Sequence, residues 1–286
     1  MTTTQTSPKR PDEAYLLCAD AIRDGARDAC FSDATVAVTS TGPTVPAIVT
    51  ALRRLGIGEI RLIGGEHAVG ELDVQRGRAY DRSQLGVPVA NVLERALAAE
   101  PGDGVLRSID FPGSVDDWGR ALDGASLAIA PVDGPMLFLP WLDELNAAAL
   151  ATGVPWTTVA VPDAEEVYLG PTFVPGVTAC HRCYEMRCKS HVLNHQAYLD
   201  FQAHVRANPD EVKDFGFLPP VADLAASLVS LEVARALSPD LEPRTVGALV
   251  TFSLSSFSFT SNPVLPLPKC DACGFARSAA KTARRV

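Results

Sequence analysis

No stretch of this chain approaches the ~18 to 20 consecutive apolar residues that span a bilayer, and its opening, Met1-Thr-Thr-Thr-Gln-Thr6, has neither a basic run nor an apolar core. A membrane partner is therefore not expected. A cytoplasmic location, where thiols stay reduced, is. Positive charge is scarce as well. The 25 Lys and Arg are outnumbered by 34 Asp and Glu for a net charge of −9, and Lys281-Thr-Ala-Arg-Arg285 is too short to track a phosphate backbone. Nucleic acid is not an expected partner. There is no Gly-x-Ser-x-Gly and no Walker-type phosphate loop, so hydrolase and kinase chemistry have no machinery to stand on. No repeat or low-complexity linker divides the 286 residues, a length that allows one large α/β domain or two.

What the chain does have is two pairs of cysteines, Cys180-x-x-Cys183 and Cys270-x-x-Cys273. This spacing builds a tetrahedral thiolate site for one Zn2+ ion, in competition with a disulfide pair or unrelated buried thiols. Four sulfurs fill the coordination shell and leave no position for an activated water. The expected zinc is thus structural, a clamp between segments distant in sequence. Cys188, beside Arg187 and Lys189, is a weaker candidate for a reactive thiol, because neighbouring cations could lower its pKa. Cys18 and Cys30 are read as core or partner contacts. His191 and His195, four apart, could share a helix face, but no Glu sits between them as in His-Glu-x-x-His. Together with His181 they are assigned to the surface or to the surroundings of the zinc.

The pattern of apolar residues predicts a helix over 11–29, then alternating strands and helices: strand 35–39, helix 46–55, strand 59–63, helix 87–99, strand 126–130, helix 139–152 and strand 155–161. Such alternation implies right-handed crossovers and a mainly parallel, Rossmann-like sheet covered on both faces. Further on, 166–169 reads as an edge strand, 170–176 as a turn-rich lead into the first cysteine pair, and 193–207 and 221–237 as helices. Segments 246–254 and 257–259 read as paired strands. The expected organisation is an N-terminal tail and helix (1–33), a Rossmann-type domain (34–169) and a continuous zinc-binding subdomain (170–286).

The segments Val36-Ala-Val-Thr-Ser-Thr-Gly-Pro-Thr-Val-Pro46 and Leu55-Gly-Ile-Gly-Glu-Ile-Arg-Leu-Ile63 resemble the ThiF-like, ubiquitin-activating type of adenylating enzyme. A more specific likeness lies in Gly170-Pro-Thr-Phe-Val-Pro-Gly-Val-Thr-Ala-Cys-His-Arg-Cys183, in Arg187, and in Pro266-Leu-Pro-Lys-Cys-Asp-Ala-Cys-Gly274. These are similar to the ThiF-like, ocin-forming subunit of cyclodehydratases that make thiazole- and oxazole-modified peptides (TOMMs), a class of RiPP and bacteriocin biosynthesis. The likeness covers about residues 34 to 275. It implies a ThiF-like α/β fold with a zinc-tetrathiolate subdomain, and leader-peptide binding beside a YcaO protein that performs the ATP-dependent cyclisation.

Adenylating relatives carry a Gly-x-Gly-Gly-x-Gly turn, which here reads Ser40-Thr-Gly-Pro-Thr-Val45 and retains only Gly42. Pro43 removes an amide donor, and Val45 puts a branched side chain where close backbone approach is needed. The ribose-binding carboxylate falls at Gly64, with Glu66 two residues on. The phosphate-binding lysine falls at Val89. Asp133 matches the aspartate such enzymes use near Mg2+, and its plainer role is a loop or helix cap. Gly42, Glu66 and Asp133 are therefore the remnant of a nucleotide site, and ATP is not expected to bind productively.

The expected function is a non-catalytic, ThiF-like component of a peptide cyclodehydratase, which presents a ribosomal precursor peptide to a YcaO partner and raises its effective concentration there. Relatives carry a leader-binding module ahead of the sheet. Only about 33 residues stand there in this chain, so leader capture is assigned to a separate protein and a homodimer is a further expectation. Two alternatives remain: an active adenylating enzyme acting on a peptide or carrier-protein C-terminus, and a zinc-stabilised interaction protein.

Overall fold

The computed structural model describes residues 31–39, 42–77, 80–133, 139–162, 165–208, 218–238 and 241–274. The helix expected over 11–29, with Cys18 and Cys30, lies outside them. The alternating first half forms five strands, β1 (Thr35–Thr39), β2 (Glu59–Ile63), β3 (Val105–Ile109), β4 (Leu127–Asp133) and β5 (Trp156–Val161). Between them run α1 (Val45–Arg54), α2 (Glu71–Gly77), α3 (Val89–Leu97), α4 (Val115–Leu122) and α5 (Pro140–Thr152). The second half adds β6 (Glu166–Phe173), α6 (His181–Ser190), α7 (His195–Ala207), α8 (Pro219–Leu237), β7 (Ala248–Ser253) and β8 (Ser258–Pro263).

All eight strands join one sheet in the order β3-β2-β1-β4-β5-β6-β7-β8. The first five are mutually parallel, with Val36 opposite Ile60 on one side and Leu127 on the other, and β6, β7 and β8 follow antiparallel. Side chains leave a strand alternately to its two faces, so β1 and β4 feed two cores. Val36, Val38, Leu127 and Ile129 pack with Ile48 and Leu52 of α1, Val92 of α3 and Val229 of α8. Ala37, Ala128, Ala130 and Val132 pack with Trp118 of α4, Leu142 and Leu145 of α5 and the four paired cysteines. Burial on both faces is why these central strands read as unbroken apolar runs.

The structure departs from expectation in three places. Segment 166–173 is an interior strand between β5 and β7, and it runs through Gly170-Pro171 where a turn was expected. A register shift on β5 between Thr157 and Val159 faces this stretch, so the ladder accommodates a proline that cannot donate. Gly170 is required there, because at φ +76° a Cβ would lie 2.7 Å from Thr245 Cβ. Strand β3 and helices α2 and α4 had no counterpart in the apolar pattern. β3 is an edge strand, exposed or half-buried throughout, and α4 is an acidic helix with Trp118, Ala121 and Leu122 turned inward. Finally, His191 caps the end of α6 while His195 opens α7, so the two belong to different helices. Among the described residues no helix is long and apolar enough to cross a membrane.

Candidate functional site

Two places on this frame gather chemistry-bearing side chains. In the first, Cys180 occupies the N-cap of α6 and Cys183 lies in its first turn, while Cys270 and Cys273 sit in the loop after β8. All four are buried, and their sulfurs lie within 4.8 Å of one another. The separations are 3.8 Å for Cys180–Cys183, 3.7 Å for Cys180–Cys270 and 3.6 Å for Cys183–Cys273. A tetrahedron with metal–sulfur bonds of ~2.3 Å has edges of about 3.8 Å, and disulfide sulfurs lie ~2.05 Å apart. The geometry therefore fits four thiolates around one metal ion and rules out disulfide bonding in this arrangement.

The surroundings of the sulfurs favour the charged form that metal binding needs at Cys183, whereas burial pushes the Cys273 thiol up. The Cys180 thiol donates to Cys183, and the backbone N–H of Leu267 donates to the same sulfur at 3.3 Å. These contacts, led by the one from Cys180, push Cys183 down to about 4, while its proton-donating neighbour is pushed up. Arg187 fastens the approaching chain by donating to the backbone carbonyls of Leu265 and Pro266. Asn146 of α5 accepts from the backbone N–H of His181 at 3.0 Å, and Asp143 Oδ1 lies 3.5 Å from His181 Nδ1. Asn146, Asp143 and the Leu267 amide carried no signal of their own in the sequence.

Cys188 lacks the environment of a reactive thiol. Lys189 is held by Glu185 at 2.6 Å and Arg187 by the two carbonyls, so neither cation serves it. Burial instead pushes the Cys188 thiol up.

The second place is the crevice at the C-terminal ends of β1 and β4. Strand order reverses here, and an open α/β sheet places ligands at such a point. Gly42 and Asp133 meet. Asp133 Oδ2 accepts from the backbone N–H of Thr44, the N-cap of α1, at 3.0 Å, and the Thr44 hydroxyl donates to the same carboxylate at 2.8 Å. A Cβ on residue 42 would fall 2.4 Å from Asp133 Oδ2, so the glycine at this turn makes room for the protein's own carboxylate. The helix N-terminus that would attract a phosphate already holds a negative charge. Nearby, burial first and then the charges of Asp73 and Asp133 raise the Tyr80 phenol. Glu66 is engaged elsewhere, accepting from the Phe111 backbone N–H at 2.9 Å. Val89, at the lysine position, is a buried apolar residue in the first turn of α3.

No model of a known protein family matches the chain, and no curated protein matches its sequence. Solved structures do share its fold. The microcin C7 biosynthetic enzyme MccB in complex with N-formylated MccA superposes with a TM-score of 0.71 at 17% identity, over 96% of this chain and 77% of the other. E. coli MccB with ATP gives a TM-score of 0.67 at 19% identity, over 86% and 68%. PaaA gives 0.64 at 16%, over 93% and 78%. At these identities the likeness is one of architecture, and it agrees with the Rossmann-like, mainly parallel α/β fold class read from the sequence.

Proposed function

We propose that this chain is a peptide-handling, non-adenylating protein of the ThiF-like fold, which presents a ribosomal precursor peptide to a separate YcaO-type, ATP-dependent partner for azoline formation. The observation that carries this reading is the Asp133 carboxylate seated on the N-terminus of α1. With that carboxylate spent on capping α1, a phosphate entering without Mg2+ would meet like charge at hydrogen-bonding range, and Pro43, which has no N–H, and the apolar Val89 supply neither the donor nor the cation that could offset the repulsion. The cysteine motif and its proline-rich lead support the narrower assignment to thiazole- and oxazole-forming systems, while the fold shared with an enzyme solved in complex with the MccA peptide bears on peptide handling in general. In this reading the metal is zinc, held by Cys180, Cys183, Cys270 and Cys273. It supplies no chemistry and fixes the loop after β8 against α6.

The test has two parts. The purified chain should give no ATP–pyrophosphate exchange with a peptide carboxylate, and omitting it from a reconstitution of YcaO protein, leader-binding protein and precursor should abolish the loss of water that marks each ring. Ring formation at an undiminished rate without the chain overturns the proposal. The crystal structure of MccB with ATP favours a second reading, adenylation of a peptide by this chain, because it places a nucleotide on the same fold. Exchange by the purified chain would establish that reading.

A further inference from the structure

Helix α8 covers the sheet over β5 and β6, and a cleft of about 490 Å3 opens between it and the β7–β8 hairpin. Its walls are apolar, from Leu228 and Leu231 of α8 to Val250 and Phe259 of the hairpin. Leu231 and Phe259 remain 48% and 56% exposed. Its floor is rigid. Glu232, buried, accepts from the Thr245 backbone N–H and hydroxyl at 2.9 Å each and from Arg235 at 2.7 Å, and Thr245 continues the chain to Thr172 at 2.7 Å. At the rim stands Arg244, exposed and without an ion pair among the described residues. Beside the cleft, β8 is the sheet's last strand. Every residue of Ser258-Phe-Thr-Ser-Asn-Pro263 is exposed, and none carries the charge that proteins usually place on an open edge.

From these features we infer that the α8–β8 cleft is a binding site for an extended peptide segment carrying alternating apolar and acidic side chains. The backbone of the segment pairs antiparallel or parallel with the outer edge of β8. Its apolar side chains fill the space between Leu231 and Phe259, and a carboxylate reaches the Arg244 guanidinium, which binds planar anions through paired N–H donors. Two properties select this occupant. The cleft lies within the size range of built ligand sites, and the exposed Arg244 at its rim has no ion pair among the described residues, so a carboxylate on the segment would complement it. The site is remote in sequence from Gly42 and Asp133 and uses none of the cysteines. It rests on the peptide-presenting reading only for which natural peptide fills it.

Fluorescence anisotropy with the full, metal-loaded chain tests the inference, using a fluorescein-labelled peptide of alternating valine and glutamate and its valine–lysine counterpart as probes. The acidic probe should bind roughly tenfold or more tightly than the basic one, more weakly as salt rises, and Arg244→Glu should reverse the preference. Leu231→Glu, at a half-exposed position, should weaken the acidic probe by a similar factor. Hydrogen exchange of 258–263 should slow when the acidic probe is bound. Equal binding of both probes, an unchanged preference in Arg244→Glu, or binding without slower exchange in 258–263 would overturn the inference. These measurements need neither ATP nor a YcaO partner, so their failure is separable from failure of the proposed function.

Discussion

The cysteine knot and the switch-point crevice are both places where a fold of this kind could hold a charged guest, and they are built in opposite ways. At the knot, four ligand atoms from two distant segments converge with the spacing of a metal tetrahedron, and the Leu267 amide favours the ionised form of Cys183. At the crevice, the helix terminus that would receive an anion is satisfied from within by Asp133. A site kept for a guest leaves its valence pointing at a common centre. One that has turned inward spends that valence on its own side chains.

Removing a ligand from the knot should have the largest effect. Cys183→Ala is expected to abolish stoichiometric metal binding and to cost on the order of 5 kcal/mol of stability, measured by metal analysis and chemical denaturation. A variant that melts with the wild type would mean the knot is ornamental. Because the ligands must be deprotonated, the metal should also be lost as pH falls. At the crevice, Asp133→Ala should cost about 1 to 2 kcal/mol, since it removes the group that caps α1 and offsets its dipole. It should also create affinity for inorganic phosphate that the parent lacks, seen by calorimetry. If the variant is no less stable and still ignores phosphate, the inward-turned description fails. A finer probe is Tyr80. Its folded pKa is raised, so its contribution is complete below the ordinary phenol pKa of about 10 and declines as pH climbs above it, where the unfolded phenol ionises first. Tyr80→Phe should flatten the alkaline limb of the stability profile, and an unaltered limb would mean that the phenol is neither buried nor beside the carboxylates.

The parallel half of the sheet was legible because strands buried on both faces, such as Val36-Ala-Val38 and Leu127-Ala-Ile-Ala130, must be apolar without interruption. β3 escaped notice for the converse reason: an exposed edge strand imposes no apolar pattern on Val105-Leu-Arg-Ser-Ile109. β6 was cut short at Gly170-Pro171 because turn chemistry dominates local sequence, whereas the bulge on β5 that tolerates the proline is visible only across the sheet. The four sulfurs could be named from spacing alone, since Cys-x-x-Cys fixes two ligands by covalent proximity. Their helpers could not. Asn146, Asp143 and the Leu267 amide reach the knot through space from α5 and a loop, and nothing in their neighbours' identity announces it. For Cys188 the adjacent cations misled, because Arg187 and Lys189 had partners that sequence does not show.

Cys180 and Cys270 lie 90 positions apart, and α7, α8, β7 and β8 all fall between them. With an ion bound, that whole stretch becomes a closed circuit of chain, anchored at one hub. A protease nick anywhere along the circuit would leave both fragments gripping the same ion as well as the shared sheet and core, so the cut protein should travel as one particle and a chelator should lower the denaturant needed to part the halves.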